Sequence, residues 1–169
     1  YSHDDYGYQD TYLTHYLNLS DAENVTLSFW IWYWTESDFD YCFFEVYDGD
    51  SEEWNRIDEY NGRYDYWQHV EYDLSEYAGS ESVQIRFIYS GDISVNYVGV
   101  YLDSFELYLD DELAWSDDVE SGAGDWEVET ETGSSWELVE LTCGAAEVSI
   151  TGTISVSYTH LTLPTKRIV

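Results

Sequence analysis

The sequence predicts an all-β fold, an antiparallel jelly-roll β-sandwich. Runs of alternating apolar residues recur at intervals of about 8 to 15 residues between Thr26 and Leu109, with turn-forming residues between them. Aromatic residues make up 19% of the chain, enough to fill a sizeable core. No segment has helical periodicity, and the single proline is Pro164. Short, regularly spaced strands separated by turns are typical of sandwiches and jelly rolls.

The predicted strands follow one another in order. Leu27 to Trp34 is apolar on both faces, as in a strand that is covered on two sides or whose outer face binds a ligand. Tyr41 to Tyr47 also alternates, and Asp48 to Ser51 then predicts a solvated hairpin loop. The later predicted strands are Trp54 to Tyr60, Val70 to Leu74, Val83 to Tyr89 and Val98 to Leu109, with turns at Asn61-Gly62 and Ser75 to Gly79.

The chain is strongly acidic. It contains 36 acidic and 5 basic residues, which gives a formal net charge of -31. Phosphate binding needs clusters of Lys and Arg, so we expect no nucleic-acid partner, and no segment is apolar enough for membrane insertion. Such an acidic surface suits either a halophilic protein in saline water or an ordinary acidic secreted domain.

Both ends of the sequence predict a fragment. Tyr1 is not an encoded start, and Val156 to Thr165 differs in composition from the rest and resembles a translated sequencing adapter. We therefore expect residues 156–169 to be adapter read-through on a metagenomic fragment, and we exclude them from functional reasoning. Arg56, Arg63 and Arg86 are then the only cations that remain.

An ordered series of landmarks across residues 10–109 resembles a known family. The landmarks are Leu27 to Tyr33, Asp38 to Tyr41, Val46 to Gly49, Trp54, Tyr60 to Gly62, Trp67, Asp73 to Gly79, Val83 to Phe87 and Gly99 to Asp103. Together they resemble the MAM-like jelly-roll module, which accompanies immune inhibitor A type secreted metalloproteases and prokaryotic surface proteins. Asp117 to Trp126 resembles the first strand of a further copy.

The resemblance implies a division of the chain and an accessory function. Residues 1–110 correspond to a module that lacks its first strand, and residues 111–155 to a truncated second copy or to a strand that completes the first. The implied role is non-catalytic adhesion or binding, outside the cell or at its surface. The implied partners are a protein or glycan ligand and neighbouring modules of the same chain. A carbohydrate-binding module and a structural spacer repeat are the alternatives.

The chain lacks the sequence motifs of common hydrolases. H-E-x-x-H, which would set two imidazoles one helical turn apart on zinc, is absent, as is the G-x-S-x-G nucleophile elbow. His3, His15 and His69 are scattered over predicted strands and loops. Because these motifs are absent, we expect no catalysis by this chain, and any metalloprotease domain would lie outside it. Cys42 and Cys143 have no metal-type spacing, and we expect Cys42 to be a buried free thiol.

Calcium is the predicted ligand, because hard cations bind about six to eight oxygens and this chain is rich in carboxylates. The resemblance implies a site that joins an acidic residue of the module's first strand to an Asp of its last, here Glu120 and Asp103. Glu36, Asp38 and Asp40 form a second candidate cluster in the loop after the tryptophan-rich strand. The alternative is a hydrogen-bonded buried Asp103 and a solvated Glu120.

Trp30, Trp32 and Trp34 project to one side of their strand. Directed inward, the row would pack between sheets, which is the more common arrangement. Directed outward, it could stack on sugar rings, because aromatic faces bury C–H surface without needing charge. The three tryptophans are therefore candidate ligand-binding residues, and their exposure decides between the two interpretations.

Overall fold

Two β-sheets pack face to face. The structure, a computed structural model, describes residues 9–92, 97–119, 124–130, 135–140 and 155–160. The strands are β1 (Gln9–Leu17), β2 (Val25–Trp34), β3 (Tyr41–Asp48), β4 (Glu53–Tyr60), β5 (Arg63–Asp73), β6 (Val83–Gly91), β7 (Gly99–Leu109), β8 (Glu112–Asp117), β9 (Glu127–Thr130), β10 (Ser135–Glu140) and β11 (Ser155–His160). The described part of the chain contains no helix with the length and hydropathy of a membrane span.

The strand order gives one five-stranded and one four-stranded sheet. The five-stranded sheet runs β4-β3-β6-β1-β9 and the four-stranded sheet runs β5-β2-β7-β8. Every pairing within these two sheets is antiparallel. Two connections, β3 to β4 and β7 to β8, are hairpins, and the others from β1 to β9 cross between the sheets. The predicted antiparallel β-sandwich is confirmed.

Aromatic side chains from both sheets meet in the core. Phe29 of β2 is fully buried, and its ring centroid lies 5.0 Å from that of Phe87 on β6 and 5.5 Å from that of Phe44 on β3. Phe105 of the neighbouring strand β7 lies 5.5 Å from Phe29. Each such side chain contributes about 1.5–3 kcal/mol by leaving water. Phe29 therefore joins the two sheets at their centre.

β1 was not predicted from the sequence. The predicted strands all lie between Thr26 and Leu109, whereas β1 precedes them in the chain. It occupies the position between β6 and β9 in the five-stranded sheet. Its inward residues include the fully buried Thr11 and Leu13 and the nearly buried His15. Polar residues at inward positions weaken the apolar alternation, and this is why the sequence pattern did not indicate the strand.

Residues beyond Leu109 join the same sandwich. β8 pairs with β7, and β9 pairs with β1. Val119 and Trp126, between β8 and β9, are buried in the common core. β10 and β11 form a separate parallel pair. The division at residues 110 and 155 and the foreign origin of residues 156–169 stay predictions.

Cys42 is fully buried on β3 and forms no disulfide within the described residues. Burial raises the pKa of its thiol, since an apolar environment disfavours the thiolate. Cys143 lies outside the described residues. The core position of Cys42 agrees with the expectation from its strand.

Candidate functional site

Three carboxylates meet at one end of the five-stranded sheet. Glu36 lies in the loop after β2, Asp40 directly precedes β3, and Asp92 directly follows β6. Tyr41 pairs with Ser90 across β3 and β6, so the start of one strand lies beside the end of the other. One oxygen from each carboxylate lies within 4.8 Å of the others. We call these three residues the acidic cluster.

A compact turn fixes the loop that carries Glu36 and Asp40. The Asp40 amide donates to the Glu36 carbonyl at 2.9 Å. The Thr35 hydroxyl donates to the Asp40 carbonyl at 3.2 Å and accepts from the Gly62 amide at 2.9 Å. These bonds tie the loop to the corner between β4 and β5, so the backbone of the acidic cluster is held in place.

Asp40 is the buried member of the acidic cluster, with no exposed surface. Its Oδ1 accepts from the Asp92 amide at 3.2 Å, and its Oδ2 accepts from the Glu36 amide and the Tyr89 hydroxyl, both at 3.3 Å. The pKa of Asp40 is raised, mainly by burial and in addition by the charge of Asp92. The hydrogen bonds from the two amides and the Tyr89 hydroxyl act in the opposite direction and lower it. A cation at this position would favour the charged form.

The oxygens of the acidic cluster suit a hard cation. Glu36 Oε2 is buried and receives no hydrogen bond from any described residue. A β-carbon on Gly91 would lie 3.1 Å from Asp40 Oδ1, so glycine keeps the approach to that oxygen open. Carboxylate oxygens are the ligands that Ca²⁺ prefers, and Glu36 Oε2 is the one in this cluster that is buried without a donor among the described residues. The residues present therefore fit calcium better than a softer metal that needs Cys or His.

The other predicted metal ligands lie elsewhere. Asp38 is exposed in the loop, with a positive φ of 69°, and is not part of the acidic cluster. Asp103 is buried on β7 opposite Trp30, and its Oδ1 accepts from the Ser104 hydroxyl at 3.0 Å. Glu120 lies outside the described residues. The Asp103 and Glu120 site thus stays a prediction.

Asp92 is the member of the acidic cluster that sequence reasoning missed. It follows Asp40 by 52 residues, so no local spacing links the two. The available signal was an acidic residue three positions after a predicted strand. Using that signal requires knowing that β3 and β6 are neighbours, which strand patterns alone do not reveal.

The tryptophan row lies on the outer face of the four-stranded sheet. Leu27, Phe29 and Ile31 of β2 are fully buried in the core, and strand alternation directs the tryptophans to the opposite face. The row is half-buried and does not pack between the sheets. Neighbouring rings flank it: His69 lies 5.1 Å from Trp30, Tyr101 lies 5.3 Å from Trp32, and Tyr97 lies 5.6 Å from Trp34.

Comparison with known proteins finds a similarity over about half of the chain. No protein-family model matches the chain. Over 87 residues, 52% of this chain, the sequence is 33% identical to Bacillopeptidase F of Bacillus subtilis (strain 168). The matched segment makes up 6% of that protein, so the chain spans a small fraction of its length. The chain is therefore similar to one small part of a much larger peptidase.

Proposed function

We propose that the chain is a non-catalytic accessory module of an extracellular modular protein, and that calcium held by the acidic cluster stabilises its fold. The observation that carries the calcium proposal is the convergence of three carboxylates from two separate segments, the loop after β2 and the end of β6, with one of them, Asp40, fully buried. Three like charges this close repel one another, and a divalent cation replaces that repulsion with attraction. Backbone carbonyls and water would complete the coordination, as is common for Ca²⁺.

Calcium should raise the melting temperature of the EDTA-treated chain. At free calcium about 100-fold above the dissociation constant, binding contributes about 2.7 kcal/mol, which corresponds to about 5 to 10 °C for a chain of this size. Asp40→Asn should remove most of that shift because it removes a charged ligand. Without calcium, its melting temperature should equal or exceed that of the wild type, because a buried charge is gone. Differential scanning calorimetry measures both quantities.

Asp38→Asn is the matched control, since it removes one carboxylate from the same loop at an exposed position. It should keep the full calcium shift. A shift that survives Asp40→Asn but disappears in Asp103→Asn would place the ion at the Asp103 and Glu120 site instead. A wild-type chain without any calcium response would overturn the calcium proposal.

The accessory role is supported by the similarity to a small part of a larger peptidase and by the missing hydrolase motifs. The landmarks and the sandwich are those expected of a MAM-like module. In this proposal the module works outside the cell or at its surface. It holds the larger protein near its target by binding a protein or glycan, and it contacts neighbouring modules of the same chain.

Carbohydrate binding at the tryptophan row is a second candidate function. It is favoured by the outward position of Trp30, Trp32 and Trp34 beside further aromatic rings. Such a surface can stack on the apolar faces of sugars. Trp32→Ala removes the central ring of the row, so loss of polysaccharide retention in affinity electrophoresis on this substitution alone would support it.

A further inference from the structure

The outer face of the five-stranded sheet carries a groove of about 560 Å³. The groove lies on the opposite side of the sandwich from the tryptophan row. Its floor is one row of side chains that crosses all five strands in register. In this row Arg56 pairs with Glu45, Glu45 with Arg86, Arg86 with Thr14, and Thr14 with Glu127. We call it the floor row.

Glu45 holds two arginines in fixed positions on the floor row. Its Oε1 accepts from Nε and Nη2 of Arg56, both at 3.2 Å. Its Oε2 accepts from Nε and Nη2 of Arg86, at 3.0 and 2.7 Å. The bonds to Glu45 use Nε and Nη2 of each arginine and leave both Nη1 groups outside this pairing. The Arg56 side chain is 47% exposed and that of Arg86 is 22% exposed, so a ligand in the groove can reach both.

Aromatic residues form the walls of the groove. Tyr16 is 54% exposed, and its hydroxyl donates to Glu127 Oε2 at 3.3 Å. Trp54 lies 3.7 Å from the Arg86 guanidinium, measured from the carbon to the ring centroid, and Tyr12 lies 5.5 Å from it. Trp54 and Tyr12 thus help to hold Arg86, while Tyr16 presents an open ring to a ligand.

The charges of the groove restrict the ligand. The charged residues that line it are Asp10, Glu45, Glu127, Glu129, Arg56 and Arg86. Carboxylates outnumber guanidiniums, and the chain as a whole carries -31, so an anionic ligand is repelled. A cation would meet two arginines at the centre of the floor. An apolar ligand would leave the guanidinium donors and carboxylate acceptors without partners.

We propose that this groove binds a neutral oligosaccharide. Sugar hydroxyls accept hydrogen bonds from the two Nη1 groups and donate to Glu127, and the C–H face of a sugar ring packs on Tyr16. Planar guanidiniums that are already ordered by Glu45 lose little freedom on binding. This site goes beyond the calcium proposal and does not depend on it.

Isothermal titration calorimetry of the full chain with cellohexaose, xylohexaose, mannohexaose and chitohexaose tests the proposal, in calcium and again in EDTA. At least one of these neutral sugars should bind. Tyr16→Ala should weaken that binding by about fivefold, because a stacking ring is lost. Arg56→Gln should weaken it by about tenfold, because a charged donor is lost while Arg86 still pairs with Glu45.

Matched controls lie on the four-stranded sheet. Tyr66 is 63% exposed, and Arg63 is an exposed arginine paired with Asp65. Tyr66→Ala should bind sugar like the wild type. Arg63→Gln should do so as well if the sugar lies in the groove, although the Arg63 guanidinium lies 4.1 Å from the ring centroid of Trp34 in the tryptophan row. The proposal is overturned if no hexasaccharide binds, if Tyr16→Ala and Arg56→Gln both bind normally, or if an oligogalacturonate binds more tightly than every neutral sugar. Loss on Trp32→Ala alone also overturns it and locates the sugar at the tryptophan row.

Discussion

His15 is an ionisable side chain buried among aromatic rings. It lies on β1, with its ring centroid 4.4 Å from that of Trp115 and 4.9 Å from that of Trp126. Burial lowers the pKa of His15, although the carboxylates of Asp125 and Asp117 act in the opposite direction. The folded chain therefore favours the neutral imidazole.

Acidification should destabilise the fold through this residue. Near pH 6.5 the unfolded chain protonates His15, while the folded chain does so only at lower pH. The free energy of unfolding should therefore fall as the pH drops from about 7.5 to about 5.5. His15→Phe keeps a ring against Trp115 but cannot bind a proton, so it should flatten that dependence in urea titrations.

His69→Phe is the comparison for this experiment, because His69 is exposed beside Trp30. It should retain the wild-type dependence on pH. Identical slopes for the wild type and His15→Phe would show that His15 does not link stability to pH.

Single residues also show how far the candidate site could be predicted. Glu36 and Asp40 are four positions apart, and the sequence placed them together in one loop. Asp38 is a carboxylate of the same loop, but it is exposed and its backbone is left-handed, with a φ of 69°. Local spacing identifies the segment that contributes ligands, but side-chain direction depends on φ and ψ values that spacing does not give.

At the level of elements, Trp126 anchors the segment that leads into β9 to the core and to the end of β8. The Trp126 indole donates to Asp117 Oδ2 at 2.9 Å, and the Val119 amide donates to Asp117 Oδ1 at 2.7 Å. The Trp126 ring lies 4.8 Å from Phe105 in one sheet and 6.3 Å from Phe87 in the other. Residues after Leu109 therefore help to hold the two sheets together.

Trp126→Ala should destabilise the sandwich by about 3–5 kcal/mol, as expected when a large buried aromatic side chain is removed from a core. Leu113→Ala on β8, where the side chain is 53% exposed, should change stability by less than about 0.5 kcal/mol. Urea denaturation followed by tryptophan fluorescence and circular dichroism measures both. A small effect of Trp126→Ala would mean that the sandwich is complete without this segment.

Turn chemistry predicted where strands end but not which strands pair. Asn61-Gly62 does separate two strands, and Gly62 has a positive φ of 80°. The strands on either side, β4 and β5, lie in different sheets. The local turn signal describes a reversal of the chain, whereas the sheet that each strand joins is decided by burial of its apolar face.

For the whole molecule, the net charge of -31 should make stability depend on salt. Raising NaCl from about 0.1 M to about 1 M shortens the Debye length from about 10 Å to about 3 Å, which screens repulsion among surface carboxylates. The melting temperature in EDTA should therefore rise over this range. Choline chloride should act similarly if screening is the cause, and a melting temperature that stays level or falls would contradict a repulsive surface.

The order of strands in the sheets also affects how the chain reaches its native state. β1 pairs with β6 and β9, and Thr11 lies beside Thr130, 119 residues away. Closing such long loops costs entropy before any contact compensates for it, so folding should be slow, in the range of milliseconds to seconds. During synthesis β1 is made before β6 and β9, so its edges stay unpaired until those strands follow. Repulsion between unfinished acidic chains opposes aggregation during this interval.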